Sequence, residues 1–383
     1  MKLVDAEAWT PAQTVLVLQG GGALGAYHAG VYQGLHEAGI EPDWVIGTSI
    51  GAINGAIIAG NRPEARLVKL TAFWSKIGYQ RFGDELWPLS ALSGPWANLN
   101  TLLRGIPGFF QSNPHAAWGL HVPVGLDRSA FYSTAPLRET LEEVVDFEYV
   151  CSCRTRLTVG AVNVRTSEMK YFDNRDMRLA PEHVMASGAL PPAFPAVRVE
   201  GEPYWDGGLY SNTPVEVVLD DKPRRDSLIF SANVWQPQGS EPETIWQVLG
   251  RQKDIQYASR VKSHIMRQAQ IHRLRHIVRQ LAARLPDEQR DSPAVREMIG
   301  YGCHTTMHIV RLLAPRLGGE DHTKDIDFSR SGIRTRWQAG LADVRAMLAR
   351  KPWQRAVDPL EGVIVHESAD LELAADDSRV AAV

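Results

Sequence analysis

The stretch Trp44-Val45-Ile46-Gly47-Thr48-Ser49-Ile50-Gly51 decides the fold of this chain. Three apolar residues lead into a serine set between two glycines, and the helix-like run Ala52-Ile53-Asn54-Gly55-Ala56-Ile57-Ile58-Ala59 follows. Strand, G-x-S-x-G and helix in that order form the context of a nucleophile elbow. Serine there sits in a strained turn. A side chain at either flanking position, Gly47 or Gly51, would clash with neighbouring backbone, so glycine is required. The helix that follows points unpaired amides and a partial positive charge at any oxyanion forming nearby.

Upstream, Thr14-Val15-Leu16-Val17-Leu18 is a continuous apolar run, the pattern of a strand buried on both faces. Gly20, Gly21, Gly22 and Gly25 come next, and Ala26 to Ala38 then reads as a helix ended by Gly39. With the strand Asp43 to Ile46, the order becomes strand, glycine loop, helix, strand, elbow, helix. That order predicts an α/β fold, three layers deep (α/β/α), with a mainly parallel central sheet and right-handed crossovers.

Residues 81–130 interrupt the pattern with many Pro and Gly residues and with Trp87, Trp96, Phe109, Phe110 and Trp118. The segment is too apolar for a free linker and too long for an ordinary connection. A cap over an apolar cleft and a loop packed on the sheet edge both fit. Regular structure resumes with a helix at 136–145, strands at 157–164 and 169–172, and a helix at 182–187. A strand at 202–205, a helix starting near Pro214 and a buried strand at 227–234 complete this part.

Beyond residue 240 the composition shifts. Arg251 to Arg284 holds nine Lys or Arg against one acid, Asp254. Apolar positions 258, 261, 265, 274, 277/278 and 281 keep helical spacing, so 251–284 is a long amphipathic helix. Two readings fit it: a packed helix with a solvated basic face, or a surface that attracts anionic lipid headgroups. His308–Leu313 reads as one more strand and Ile333–Leu348 as one more helix. The tail from Glu367 is acidic and alanine-rich and is expected to be disordered, with His366 in the poorly ordered part.

The chain has 383 residues, 44% hydrophobic and 22% charged, as in soluble globular proteins. Its formal charge of −3 argues against a general polyanion binder, so no nucleic-acid partner is expected. Cys151, Cys153 and Cys303 form an odd set without metal-type spacing, which suits a reducing compartment. Acids stand near the N-terminus where a secretory signal is apolar, and no apolar run reaches the length of a membrane span. The expectation is a cytoplasmic enzyme whose membrane contact, if any, is peripheral.

Gly20-Gly21-Gly22-Ala23-Leu24-Gly25 matches G-x-G-x-x-G, and Asp43 follows about twenty residues later, so a dinucleotide site is a legitimate competitor. Against it, the ribose-binding acid belongs at the far end of the second strand. Asp43 precedes that strand, and the serine elbow occupies its far end. A P-loop is excluded because no Lys-Ser/Thr pair follows the glycines. The same loop has another use, since consecutive glycines expose backbone N–H groups as a concavity for negative charge. Beside an elbow serine such a concavity suits the charge that develops on a carbonyl oxygen in acyl transfer, so one site explains both motifs.

An elbow serine needs a base. None of the twelve histidines stands in a convincing late-chain triad context; His28 falls inside a helix. Asp206-Gly207-Gly208 follows a short strand and is a tight turn able to present a carboxylate at the sheet's edge.

Four blocks now stand in order: Gly-Gly-Gly-Ala-Leu-Gly at 20–25, Gly-Thr-Ser-Ile-Gly at 47–51, Ala-Ser-Gly-Ala-Leu-Pro-Pro-Ala-Phe-Pro at 186–195 and Asp-Gly-Gly at 206–208. Together they resemble the patatin-like phospholipase family over residues 12–235. The resemblance implies a patatin-like fold and a Ser–Asp dyad, with Ser49 as nucleophile, Asp206 as general base and Gly20–Gly22 as oxyanion hole. Gly25, Gly47, Gly51, Gly207 and Gly208 carry the motifs. No catalytic His, metal or cofactor is implied.

The expected activity is hydrolysis of a carboxylic ester in a lipid or other fatty-acyl substrate, through an acyl-serine intermediate. An acyltransferase or thioesterase on the same dyad is the alternative, and a dinucleotide-binding module or a non-catalytic lipid scaffold the more distant ones. The expected organisation is a catalytic domain at 12–235 with a cap at 81–130. A mostly helical extension at 240–355, with a surface for a homodimer, and a tail at 367–383 follow.

Overall fold

The computed structural model describes residues 9–79, 105–119, 121–318 and 320–367. The first elements are β1 (Gln13–Leu18), α1 (Ala26–Glu37), β2 (Trp44–Thr48), α2 (Ile50–Ala59) and α3 (Pro63–Ile77). A small antiparallel sheet of β3 (Gly105–Ile106), β4 (Phe110–Ser112) and β5 (Tyr132–Ser133) follows. Next come α4 (Ala135–Val144), α5 (Phe147–Cys151), β6 (Arg156–Asn163), β7 (Met169–Asp173), α6 (Pro181–Ser187), β8 (Val197–Val199) and β9 (Glu202–Asp206). The rest is α7 (Glu216–Leu219), β10 (Ser227–Asn233), α8 (Ile245–Ala283), α9 (Asp287–Arg290), α10 (Pro293–Gly300), β11 (Met307–Leu313), α11 (Arg330–Arg350) and β12 (Val363–Glu367). Trp87, Trp96 and the tail beyond Glu367 lie outside the described residues.

The central sheet runs β12-β11-β10-β1-β2-β6-β9-β8, with β7 also paired to β6. From β12 to β6 every neighbour is parallel, and β7, β8 and β9 join antiparallel. The apolar run in β1 is explained by what covers each face. Leu16 and Leu18 pack with α1, α2 and α11, whereas Val15 and Val17 pack with α7 and α8. Alternate residues of one strand thus feed two separate cores, which makes the molecule three layers, α/β/α.

The register at β6 places the site. β6 pairs with β2 through residues 156–160 and with β7 through 158–162, so these two hold opposite edges. β9 pairs with 161–163, of which 161 and 162 also face β7. It must therefore occupy the β2 edge, beyond the point where β2 stops. Thr48 lies opposite Gly160 and Asp206 opposite Ala161. Asp206 is brought to the serine elbow by sheet register alone.

The C-terminal region is mostly helical, as expected, and it also supplies β11 and β12 to the main sheet. α11 crosses α1 at backbone contact: a Cβ on Gly340 would lie 2.2 Å from the Tyr27 carbonyl oxygen, and one on Gly30 1.8 Å from that of Trp337. Only glycine permits that approach. Two bonds lock the pair, Tyr27 Oη to Asp343 Oδ2 (2.7 Å) and Trp337 Nε1 to Gln33 Oε1 (2.6 Å).

Two expectations are corrected, on His366 and on α8. His366 belongs to β12, its Nε2 2.9 Å from His308 Nδ1, because a partner strand fixes this five-residue edge despite the acidic segment that follows. The helix near Pro214 is the single turn α7. In α8, Ala258, Val261 and Ile265 pack inward, but Leu274 and Leu281 are exposed. No helix among the described residues is long and apolar enough to cross a membrane.

Candidate active site

Ser49 stands between the end of β2 and the first residue of α2, with φ 57° and ψ −125°. A non-glycine residue held there costs on the order of 1–3 kcal/mol, so its surroundings must enforce the conformation. They do so by proximity. A Cβ on Gly47 would lie 2.3 Å from the Gly51 carbonyl oxygen, and one on Gly51 2.2 Å from that of Leu18. The Ser49 amide donates to both the carbonyl (3.1 Å) and the hydroxyl (3.0 Å) of Ser187, whose hydroxyl donates to the Gly160 carbonyl (2.6 Å).

Asp206 ends β9 and is buried, with 2% of its surface exposed. Its amide donates to the Ala189 carbonyl at 2.9 Å. Ser187 and Ala189, both in the block 186–195, thus brace the serine and the acid respectively. Burial pushes the Asp206 carboxyl up to about 7, against the opposing pull of the hydrogen bond from the Gly208 amide (2.7 Å) and of the Ser49 hydroxyl nearby. A Cβ on Gly207 would meet the Gly160 carbonyl oxygen at 2.4 Å, and one on Gly25 the Ile50 side chain at 2.6 Å.

The glycine loop differs from expectation at one residue. The Gly20 amide is already committed, donating to the Asn212 carbonyl at 3.1 Å. No hydrogen bond occupies the amides of Gly21 and Gly22 among the described residues. The Gly20 carbonyl accepts from Trp235 Nε1 (2.7 Å) and Asn212 Nδ2 (3.1 Å). That carbonyl and the Gly21 N–H are opposite ends of one planar trans peptide, so fixing the first aims the second the other way. Gln19 steadies the same loop, its Oε1 accepting from the amides of Val234 and Trp235. At Gly22, φ is 55°, and a Cβ would lie 2.3 Å from the Asp325 carbonyl oxygen.

Ser49, Asp206, Gly20, Gly21, Gly22 and Gly208 all line one cavity of about 290 Å³. Most of its wall is apolar, including Ile53, Phe109, Phe110, Leu137, Phe194 and Phe328. Lys253, Tyr257 and Asp325 come to it from the C-terminal region, with Lys253 Nζ bridging both Asp325 oxygens at 2.7 and 2.9 Å. A second cavity, about 400 Å³, is walled by Trp246, Arg251, Arg316, Glu320 and other polar groups. None of the candidate site residues lines it; Ser49, Asp206, Gly20, Gly21 and Gly22 are gathered on the first cavity.

Among the described residues no histidine lines the cavity that holds Ser49 and Asp206. His28 is buried in α1 beside Asn54 and is lowered by burial to about 3. Asp43 accepts from the Thr14 amide at 2.7 Å, at the end of the strands away from the glycine loop, where it cannot meet a ribose. Sequence reasoning missed Asn212, Trp235 and Asp325. Register was the usable signal for one of them: β1 and β10 run parallel with Leu18 opposite Ala232, so residues just past Asn233 face the glycine loop.

A model of patatin-like phospholipases matches residues 16–219, and a patatin phospholipase model matches residues 255–360. Patatin-like phospholipase domain-containing protein 6 of Mus musculus is 48% identical over 61 residues, 16% of this chain and 4% of that protein. Lysophospholipase NTE1 of Candida glabrata is 26% identical over 224 residues, 57% of this chain and 10% of that protein. The chain thus spans a tenth or less of the length of these curated relatives. Among solved structures, VipD from Legionella pneumophila aligns with 91% of this chain and 69% of its own, at 15% identity and a TM-score of 0.40.

Proposed function

Because the chain belongs to the patatin-like phospholipase family, we propose that it hydrolyses carboxylic esters of lipids through an acyl enzyme on Ser49. One arrangement carries this reading: a buried carboxylate, pushed up to about 7, and a serine held in a strained elbow line the same apolar cavity. A free aspartate, near 3.9, is too weak a base for a hydroxyl; the raised value brings proton transfer closer to balance by about 4 kcal/mol.

In this mechanism Ser49 Oγ attacks the ester carbonyl carbon while Asp206 takes its proton. The C=O electron pair moves onto oxygen, and the amides of Gly21 and Gly22, with the N-terminus of α2, stabilise the oxyanion. Each aligned donor is worth roughly 2.7–4 kcal/mol there. As the C–O bond to the leaving alcohol breaks, Asp206 returns the proton to it. Water then attacks the acyl carbon, giving its proton to Asp206 and then to Ser49 Oγ as the fatty acid leaves. The apolar wall accommodates the acyl chain and keeps water from lowering Asp206.

Reaction with a fluorophosphonate probe tests this. Wild type is expected to label, whereas Ser49→Ala does not and Asp206→Asn does so at least a hundredfold more slowly. Equal labelling of Ser49→Ala and wild type sinks the mechanism. Hydrolysis should rise about tenfold per pH unit below 7 and level off above it, as the base form of Asp206 fills. A flat profile between pH 5 and 8 removes Asp206 from the role of base.

A further inference from the structure

α8 is 39 residues long, about 58 Å, and carries apolar residues on two opposite faces. Its inward face meets the sheet through Ala258, Val261 and Ile265. Its outward face is the unusual one. Ile245, Val248, Ile255, Met266, Leu274 and Leu281 are each between 49% and 79% exposed. At 3.6 residues per turn these six fall within a stripe about 100° wide running the whole helix. Ordinary soluble surfaces scatter such residues singly and do not align them over so long a path.

The charges around the stripe select what covers it. Lys262, Arg267 and Arg273 are exposed beside it. Asp254, which is the sole acid between residues 245 and 284, is buried and paired with Lys324 at 2.7 Å. The outward face therefore mixes apolar and cationic residues with the uncharged Gln252, Gln256, Ser263 and Gln270 and has no acid on it, a composition compatible with a helix lying in the headgroup region of an anionic bilayer. A self-complementary protein interface would instead have to bring these like charges together or place them apart at its rim. The same helix lends Lys253 and Tyr257 to the cavity beside Ser49 and Asp206, so whatever holds α8 also fixes where the cavity opens.

We propose that the outward face of α8 docks on an anionic lipid bilayer, its apolar stripe entering the acyl boundary and its cations meeting headgroups. The choice of a bilayer as occupant rests on the lipid-hydrolase reading. The contact is one that basic residues alone would not make, because the apolar stripe makes it outlast screening by salt.

The test is co-sedimentation of the full chain, carrying Ser49→Ala to prevent turnover, with vesicles of phosphatidylglycerol and phosphatidylcholine or of phosphatidylcholine alone. Binding is expected to be stronger to the anionic vesicles and to weaken but persist at high salt. Adding Leu274→Gln and Leu281→Gln should reduce partitioning at least tenfold. The same pair in an intact Ser49 background should leave hydrolysis of a soluble short-chain ester unchanged. No vesicle binding, or binding indifferent to the two substitutions, overturns the proposal. So does a dimer in sedimentation equilibrium that the two substitutions dissociate, since a second copy then covers the face. Binding is scored without chemistry, so loss of ester hydrolysis by wild type would overturn the catalytic reading separately.

Discussion

Residues 13–235 carry all four motif blocks and residues 245–367 carry none, yet both regions build the cavity beside Ser49 and Asp206. In the first region each feature acts through local backbone: a serine at positive φ, glycines against carbonyl oxygens, an acid at a strand end. The second acts through long-range contact. It extends the sheet beyond β10 with β11 and then β12, lays α11 on α1, spans a sheet face with α8 and sets the Asp325 carbonyl over Gly22. Reacting groups require fixed local geometry, whereas enclosure can be supplied by any surface that reaches. A chain ended after Gln238 keeps every motif and breaks this comparison most directly. It is expected to lack a cooperative unfolding transition and all esterase activity, since β10 loses its neighbour β11 and Val15 and Val17 lose the cover of α8. A folded, active fragment would make the motif-bearing region autonomous.

At Asp206 the first region gives up stability. Its carboxyl is raised from 3.8 to about 7 in the folded protein. Stability is then fully present below pH 3.8 and is lost as pH rises through 7, because the unfolded chain releases the proton first. At 1.36 kcal/mol per unit the loss approaches about 4 kcal/mol. Asp206→Asn carries no charge and is expected to be inactive but more stable than wild type at pH 8, by up to about that amount. The advantage should vanish near pH 4. Urea denaturation at the two pH values measures both, and an unchanged or lower midpoint at pH 8 contradicts the burial cost assigned to this residue.

Where the second region returns stability, glycine is again the device, without a motif to announce it. Gly340→Ala would press a methyl group to 2.2 Å from the Tyr27 carbonyl oxygen and force α11 off α1. Overpacking of this kind costs about 1–3 kcal/mol. Gly300→Ala, with nothing within 4 Å, should be neutral or slightly stabilising. Equal urea midpoints for the two variants would mean that the helix crossing is looser than the backbone distances imply.

The difference between the regions also explains what could be read beforehand. The elbow, the glycine loop and the parallel order were legible because steric limits on a few consecutive residues leave few alternatives. β12 was lost in the tail because a five-residue edge strand is defined by its partner, and β11 lies some fifty residues earlier. Helical spacing in α8 reveals apolar positions but not which of them meet protein, and Leu274 and Leu281 are exposed. The motif marked Gly20 as an oxyanion donor, but only the Asn212 carbonyl, 192 residues away, shows that its amide is taken.

Trp235 offers the finest test, because it joins the two regions. It stands just past β10 and donates to the Gly20 carbonyl at 2.7 Å. Its ring packs 5.0 Å from that of Tyr257 on α8, and Lys324 Nζ lies 5.2 Å over it. Trp235→Phe keeps an aromatic ring in that packing and removes one of two donors holding the Gly20–Gly21 peptide. With Asn212 Nδ2 still in place, the Gly21 N–H should wander only modestly from the oxyanion position. A loss of about tenfold in kcat, near 1.4 kcal/mol, is expected with KM unchanged, since the ground-state ester makes little use of that donor. Phosphonate labelling should slow in parallel, because that reaction also builds charge on oxygen. A rise in KM with kcat preserved would instead make Trp235 part of the cavity wall and return the orientation of the glycine loop to the first region alone.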